Sequence, residues 1–188
     1  RACLWSRLAS RIQLPLAAAD PRIHASVVGR TWNDLRYSLD PNNRVVPGDP
    51  TGLTHSLNEQ GVFKQQWTSL FYALGNTQPA MGGGGCPQAK AASGDPAEIA
   101  AAALCPGYYL ALCRTYTTLT STGDADQESR TLIARASAAT FIDKLRKPVL
   151  LVQGQSDTLV NLNDASATYL ALKKRHVPVG MIWNSGGH

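Results

Sequence analysis

The chain has 188 residues, 44% hydrophobic and 16% charged, which suits one domain with a buried core and excludes a disordered, highly charged segment. Its net charge of +5 does not describe a nucleic-acid surface: Arg1, Arg7 and Arg11 lie in an acid-free opening stretch, and without them 15 basic residues face 13 acidic ones. No apolar run approaches the roughly 20 residues of a bilayer span, so no membrane span is expected.

The opening Arg1-Ala2-Cys3-Leu4-Trp5 lacks both an initiator Met and the apolar stretch of a signal peptide. Four cysteines (Cys3, Cys86, Cys105, Cys113) show no metal-ligand spacing. One disulfide in the middle region, Cys86 with Cys105, and buried free thiols are both open. The compartment, secreted or cytoplasmic, is open with them, and no metal or cofactor is called for.

Along the chain, Ile12 to Ala19 reads as the rear of a helix containing Pro15. Asp20-Pro21-Arg22 is a turn, Ile23 to Val28 a short strand, and Gly29 to Asp34 a loop. Trp32 in that loop either contacts substrate or anchors the loop as a buried residue, with Asp34 capping the next helix. Residues 35–139 differ in character, being rich in Gly, Pro, Asn and Thr. Helices are predicted from Gln65 to Leu74, closing at Gly75-Asn76, from Asp95-Pro96 onward, over Tyr108–Tyr116 and over Glu128–Ala136. Trp67, Phe71 and Tyr72 either line a pocket for an acyl or P1 group or form the buried face of their helix. Gly82 to Gly85 make a loop without the Lys-Ser/Thr of a phosphate cradle.

The alternation of strand and helix then returns. Val149-Leu150-Leu151-Val152-Gln153-Gly154 is a strand whose near-continuous apolar run predicts burial on both faces. A helix capped near Asn163-Asp164 runs to about His176. Its closing cluster, Lys173-Lys174-Arg175-His176, suits the negative end of the helix macrodipole. Val179 to Trp183 is a second strand, parallel to the first through the crossover. Each strand leads into a glycine-containing loop bearing one reactive side chain, Asp157 and His188. The carboxyl edge of an open α/β sheet is where reaction sites sit. A carboxylate there fixes the tautomer of an imidazole and stabilises its protonated form, while the imidazole serves as general base. The two glycines before His188 are expected to give a sharp turn. Lone His24 and His55 receive no role.

The stretch FIDKLRKPVLLVQGQSDTLVNLNDASATYLALKKRHVPVGMIWNSGGH (residues 141–188) resembles the end of the hydrolase domain of X-prolyl dipeptidyl-peptidase and cocaine-esterase-like serine hydrolases. IQLPLAAADPRIHASVVGRTWNDL (residues 12–35) resembles the helix and strand that follow the nucleophile in that family. The resemblance implies an α/β chain carrying the last three strands of an α/β-hydrolase sheet, parallel, with an inserted helical cap. Residues 1–34 and 140–188 would form the hydrolase core and residues 35–139 the cap. It implies a serine hydrolase acting on a small ester or peptide substrate, an X-Pro bond included, through an acyl-enzyme, with Asp157 as acid and His188 as base. Trp32, Trp67 and Tyr72 become candidate substrate contacts. Missing partners are also implied: the N-terminal half of the sheet and a β-sandwich domain beyond the histidine.

The nucleophile does not carry over. A glycine-rich elbow belongs just before Ile12, where the chain reads Trp5-Ser6-Arg7-Leu8-Ala9-Ser10-Arg11 without a glycine. A frameshift or truncation would account for that stretch. The fragment is expected to be inactive as it stands. Two alternatives stay open: a non-catalytic remnant or binding module, and another α/β-hydrolase such as a proline iminopeptidase or lipase-like esterase.

Overall fold

A computed structural model describes residues 9–41, 62–77, 96, 99 and 108–188. The predicted elbow position and the Gly82–Gly85 loop lie outside these residues, apart from the start of the first helix. So does most of the helix predicted from Asp95-Pro96.

Helix α1 spans Ala9–Ala19 with Pro15 inside it. Pro15 withholds one N–H from the helical ladder, and the helix is held by the face bearing Leu14 and Ala17, both buried. Asp20 ends it in a turn where Arg22 pairs with the Asp20 carboxylate at 2.7 Å. Strand β1 is Ser26–Gly29, shorter than predicted. Its pairing is confined to Ser26↔Val149 through Gly29↔Val152, so Ile23 to Ala25 have no ladder to join.

Strand β2, Val149–Gly154, is central, and β3, Val179–Asn184, flanks it. All pairs are parallel, in the order β1-β2-β3. The chain is therefore α/β with a three-stranded parallel sheet. The register puts Val28, Val149 and Leu151 on one face, where they pack with Leu14, Ala17, Leu145, Ala171 and Leu172 in a single core. The opposite face, with Val27, Leu150, Val152 and Ile182, is not closed in the same way. Leu150 and Val152 are half-buried, while Val27 and Ile182 are exposed. The expected burial on both faces holds for one only.

Four described helices lie between β1 and β2. They are α2 (Leu35–Leu39), α3 (Gln65–Thr77), α4 (Leu110–Thr122) and α5 (Gln127–Arg135). Asp34 caps α2 by accepting the Arg36 N–H at 2.9 Å. Helix α3 does not stop at Gly75 but runs on to Thr77. Gly75 is there for contact instead: a Cβ on it would lie 1.9 Å from the Tyr108 hydroxyl oxygen. That hydroxyl donates to the Phe71 carbonyl. Helix α4 does end as glycine chemistry dictates, at left-handed Gly123 with φ 74°. Cys113 in α4 is disulfide-bonded, so the free-thiol reading does not hold for it; the Cys86–Cys105 pairing lies outside the described residues.

Two 3₁₀ turns, Ala138–Thr140 and Ile142–Lys144, lead into β2. Helix α6 spans Leu162–Lys174. Its cap is Asn161, whose side-chain oxygen accepts from Asn163 and Asp164 N–H at 3.0 and 3.4 Å, two residues before the predicted site. Asp164 is thereby released for another use. Its carboxylate is buried and accepts the Asn33 N–H and the Ser38 hydroxyl, each at 3.0 Å, tying α6 to the loop after β1.

Candidate functional site

The loops after β2 and β3 leave the sheet side by side. Gln155 N–H donates to Asn184 O at 2.7 Å, and Ser156 N–H to Gly186 O at 3.2 Å. That approach needs Gly154, because a Cβ there would stand 2.2 Å from Gly186 O. Asn184 caps its own turn, accepting the Gly186 N–H at 2.8 Å. Gly186 and Gly187 do not have positive φ. The expected sharp glycine turn is thus replaced by close passage of one loop over another.

These contacts bring Asp157 and His188 together. His188 Nδ1 lies 2.9 Å from Asp157 Oδ2; with its proton on Nδ1 the ring donates to the carboxylate. The Asp157 side chain is fully buried, and the His188 side chain is 17% exposed. Burying a carboxylate is costly unless its lone pairs are met. Oδ1 of Asp157 accepts the N–H groups of Leu159 and Val160 at 2.9 and 2.8 Å. Oδ2 accepts from the Gln153 amide at 3.2 Å, and Gln153 in turn donates to Val160 O at 2.6 Å. Bonds to a charged group contribute about 1.5–3 kcal/mol each. The loop after β2 is therefore wound around the carboxylate. Among the described residues, Nε2 of His188 has no hydrogen-bonding partner.

Trp67 approaches the His188 ring edge-on, with centroids 5.5 Å apart and planes at 72°. Phe71 follows one helical turn later, 5.9 Å from Trp67. Trp32 belongs to the same apolar cluster, with Leu159 and Val160. It is buried, and its indole N–H donates to Ala136 O at 2.8 Å. Tyr72 is elsewhere: its ring stacks on Tyr116 at 3.7 Å and on Tyr108 at 5.3 Å. The geometry thus gathers Asp157, His188 and Trp67, sets Trp32 behind them, and leaves Tyr72 in the helical layer. Gln153 was not singled out from the sequence, although an amide at an inward position of VLLVQG was the available signal.

The fold and site define an α/β chain with a buried carboxylate and an imidazole paired at the carboxyl ends of adjacent parallel strands. No family model matches the chain. It is similar to Dipeptidyl peptidase family member 6 of Caenorhabditis elegans, at 27% identity over 84 residues, covering 44% of this chain and 11% of that protein. The match thus spans about a tenth of the relative's length, a distant peptidase-like relationship.

Proposed function

We propose that Asp157 and His188 are the acid and base of a serine hydrolase site that cleaves an ester or peptide bond, X-Pro bonds among them. The observation that carries this reading is the 2.9 Å contact between His188 Nδ1 and the buried Asp157 carboxylate. That contact leaves Nε2 as the basic nitrogen. In the reaction, Nε2 takes the proton of a serine hydroxyl as its oxygen attacks the substrate carbonyl carbon. Asp157 stabilises the imidazolium, and the proton passes to the leaving alcohol or amine as the acyl bond to it breaks. Water, deprotonated by the same nitrogen, then hydrolyses the acyl-serine.

The serine comes from outside the described residues. Helices α2–α5, inserted between β1 and β2, act as the cap, with Trp67 beside the base. The peptidase-like similarity supports a peptide substrate. One observation favours a non-catalytic remnant instead: Trp5–Arg11 contains no glycine to build an elbow.

The test is hydrolysis of X-Pro aminocoumarin amides and p-nitrophenyl esters by the protein expressed from its complete gene. H188A and D157N are expected to lower kcat by about 10⁴-fold. Turnover that is unaffected by H188A, or no turnover on either substrate class, overturns the proposal in favour of the remnant.

A further inference from the structure

Lys64 stands immediately before α3 and is fixed there by its backbone. Its N–H donates to Leu39 O at 2.8 Å, and its carbonyl accepts the Thr68 N–H at 3.1 Å and the Thr68 hydroxyl at 3.0 Å. The side chain then crosses to the loop after β2. Its ammonium donates to Thr158 O at 2.8 Å and to Leu159 O at 2.9 Å. These carbonyls belong to the same two peptide units whose N–H groups, on Leu159 and Val160, hold Asp157 Oδ1. Two peptide dipoles are therefore lined up between a cation at their oxygen ends and a carboxylate at their N–H ends. Each charge polarises the bond the other makes. Burial holds the Lys64 ammonium below its ordinary pKa, opposed by the charges of Asp164 and Asp157. One helical turn along, Trp67 meets the His188 ring.

We infer that Lys64 is a positioning residue: by orienting the Thr158–Leu159 and Leu159–Val160 peptide units it fixes the Asp157 carboxylate against His188. The inserted α3 thereby becomes part of the acid–base apparatus. One segment, Lys64 to Trp67, touches the acid's loop through its first residue and the base's ring through its last. This rests on the reading of Asp157 and His188 as acid and base.

The test compares K64M, which keeps the aliphatic reach but removes the donors, with K64R, which restores two donors. In histidine-labelled chain the four imidazoles give few NMR signals, and H188Q assigns that of His188. The wild-type ring is expected to show a single neutral tautomer with the proton on Nδ1. In K64M it is expected to average between tautomers, and in K64R to return to the wild-type spectrum. If K64M does not fold, K64Q, with one amide donor, is read in its place and is expected to fall between. In the protein expressed from its complete gene, K64M should lower kcat by about 10²-fold, the scale of an ångström-sized misplacement, with KM unchanged.

A folded K64M with a wild-type His188 spectrum overturns the inference, as does a K64R spectrum indistinguishable from that of K64M. Failure of the hydrolase reading looks different: H188A leaves turnover unchanged while the His188 spectrum still responds to Lys64.

Discussion

Asp164 offers the most quantitative perturbation. The residue is 1% exposed, and burial pushes its pKa up to about 7, against the pull of the Asn33 and Ser38 hydrogen bonds and the Lys64 charge. In the unfolded chain it titrates near the ordinary aspartate value of 3.8. Between those two pH values the folded state holds a proton that the unfolded state has released. Stability from this group is therefore complete below about pH 4, falls as pH rises, and is lost above about pH 7. The difference of about 3 pH units corresponds to roughly 4 kcal/mol at 1.36 kcal/mol per unit. D164N removes the titration while keeping the shape. Its carbonyl accepts from Asn33 N–H, and its amide donates to Ser38 Oγ, which accepts by rotating its proton away. Urea unfolding of both proteins from pH 4 to 9 is the assay. D164N should match wild type near pH 4 and exceed it by up to about 4 kcal/mol at pH 8. A wild-type-minus-variant difference that does not change with pH refutes the reasoning.

Three further substitutions probe the framework around the site. G75A, which in an open helix would stabilise by up to about 1 kcal/mol, is expected to destabilise by roughly 1–3 kcal/mol because its methyl meets the Tyr108 ring; the sign of the change in thermal midpoint decides. R130M takes the guanidinium from an Asp40 carboxylate that it meets at 3.0 Å and whose side chain is 0% exposed, and should cost about 3–5 kcal/mol in chemical denaturation, with D40N/R130M recovering part of it. The open sheet face with exposed Val27 and Ile182 should bind a hydrophobic dye, with fluorescence falling in V27S/I182S.

The sheet was legible because β2 and β3 are apolar runs bounded by glycine or proline, signals that survive without tertiary information. The loops bearing Asp157 and His188 could be placed at the same edge for that reason. Features fixed by partners far along the chain were not legible. Gly75 looks like a helix stop by local rules, but the Tyr108 ring, brought against it by α4, makes it a contact glycine inside α3. Asn163-Asp164 resembles a cap, yet Asn161 takes that role once Asp164 turns inward to Asn33 and Ser38. Lys64 in Val62-Phe63-Lys64-Gln65 looks like a solvated lysine. Only the meeting of α3 with the loop after β2, more than ninety residues away, gives its ammonium two carbonyls. The open face of the sheet is not legible in the sequence, because an apolar strand reports what it is able to bury, and the cover comes from other elements.

Fluorophosphonate labelling tests the Asp157–His188 pair most directly as an activator of serine. With the protein expressed from its complete gene, one serine outside the described residues should be modified and identified by peptide mass. Its labelling should slow by three orders of magnitude or so in both H188A and D157N. A serine labelled equally fast in H188A, or no labelled serine at all, contradicts it.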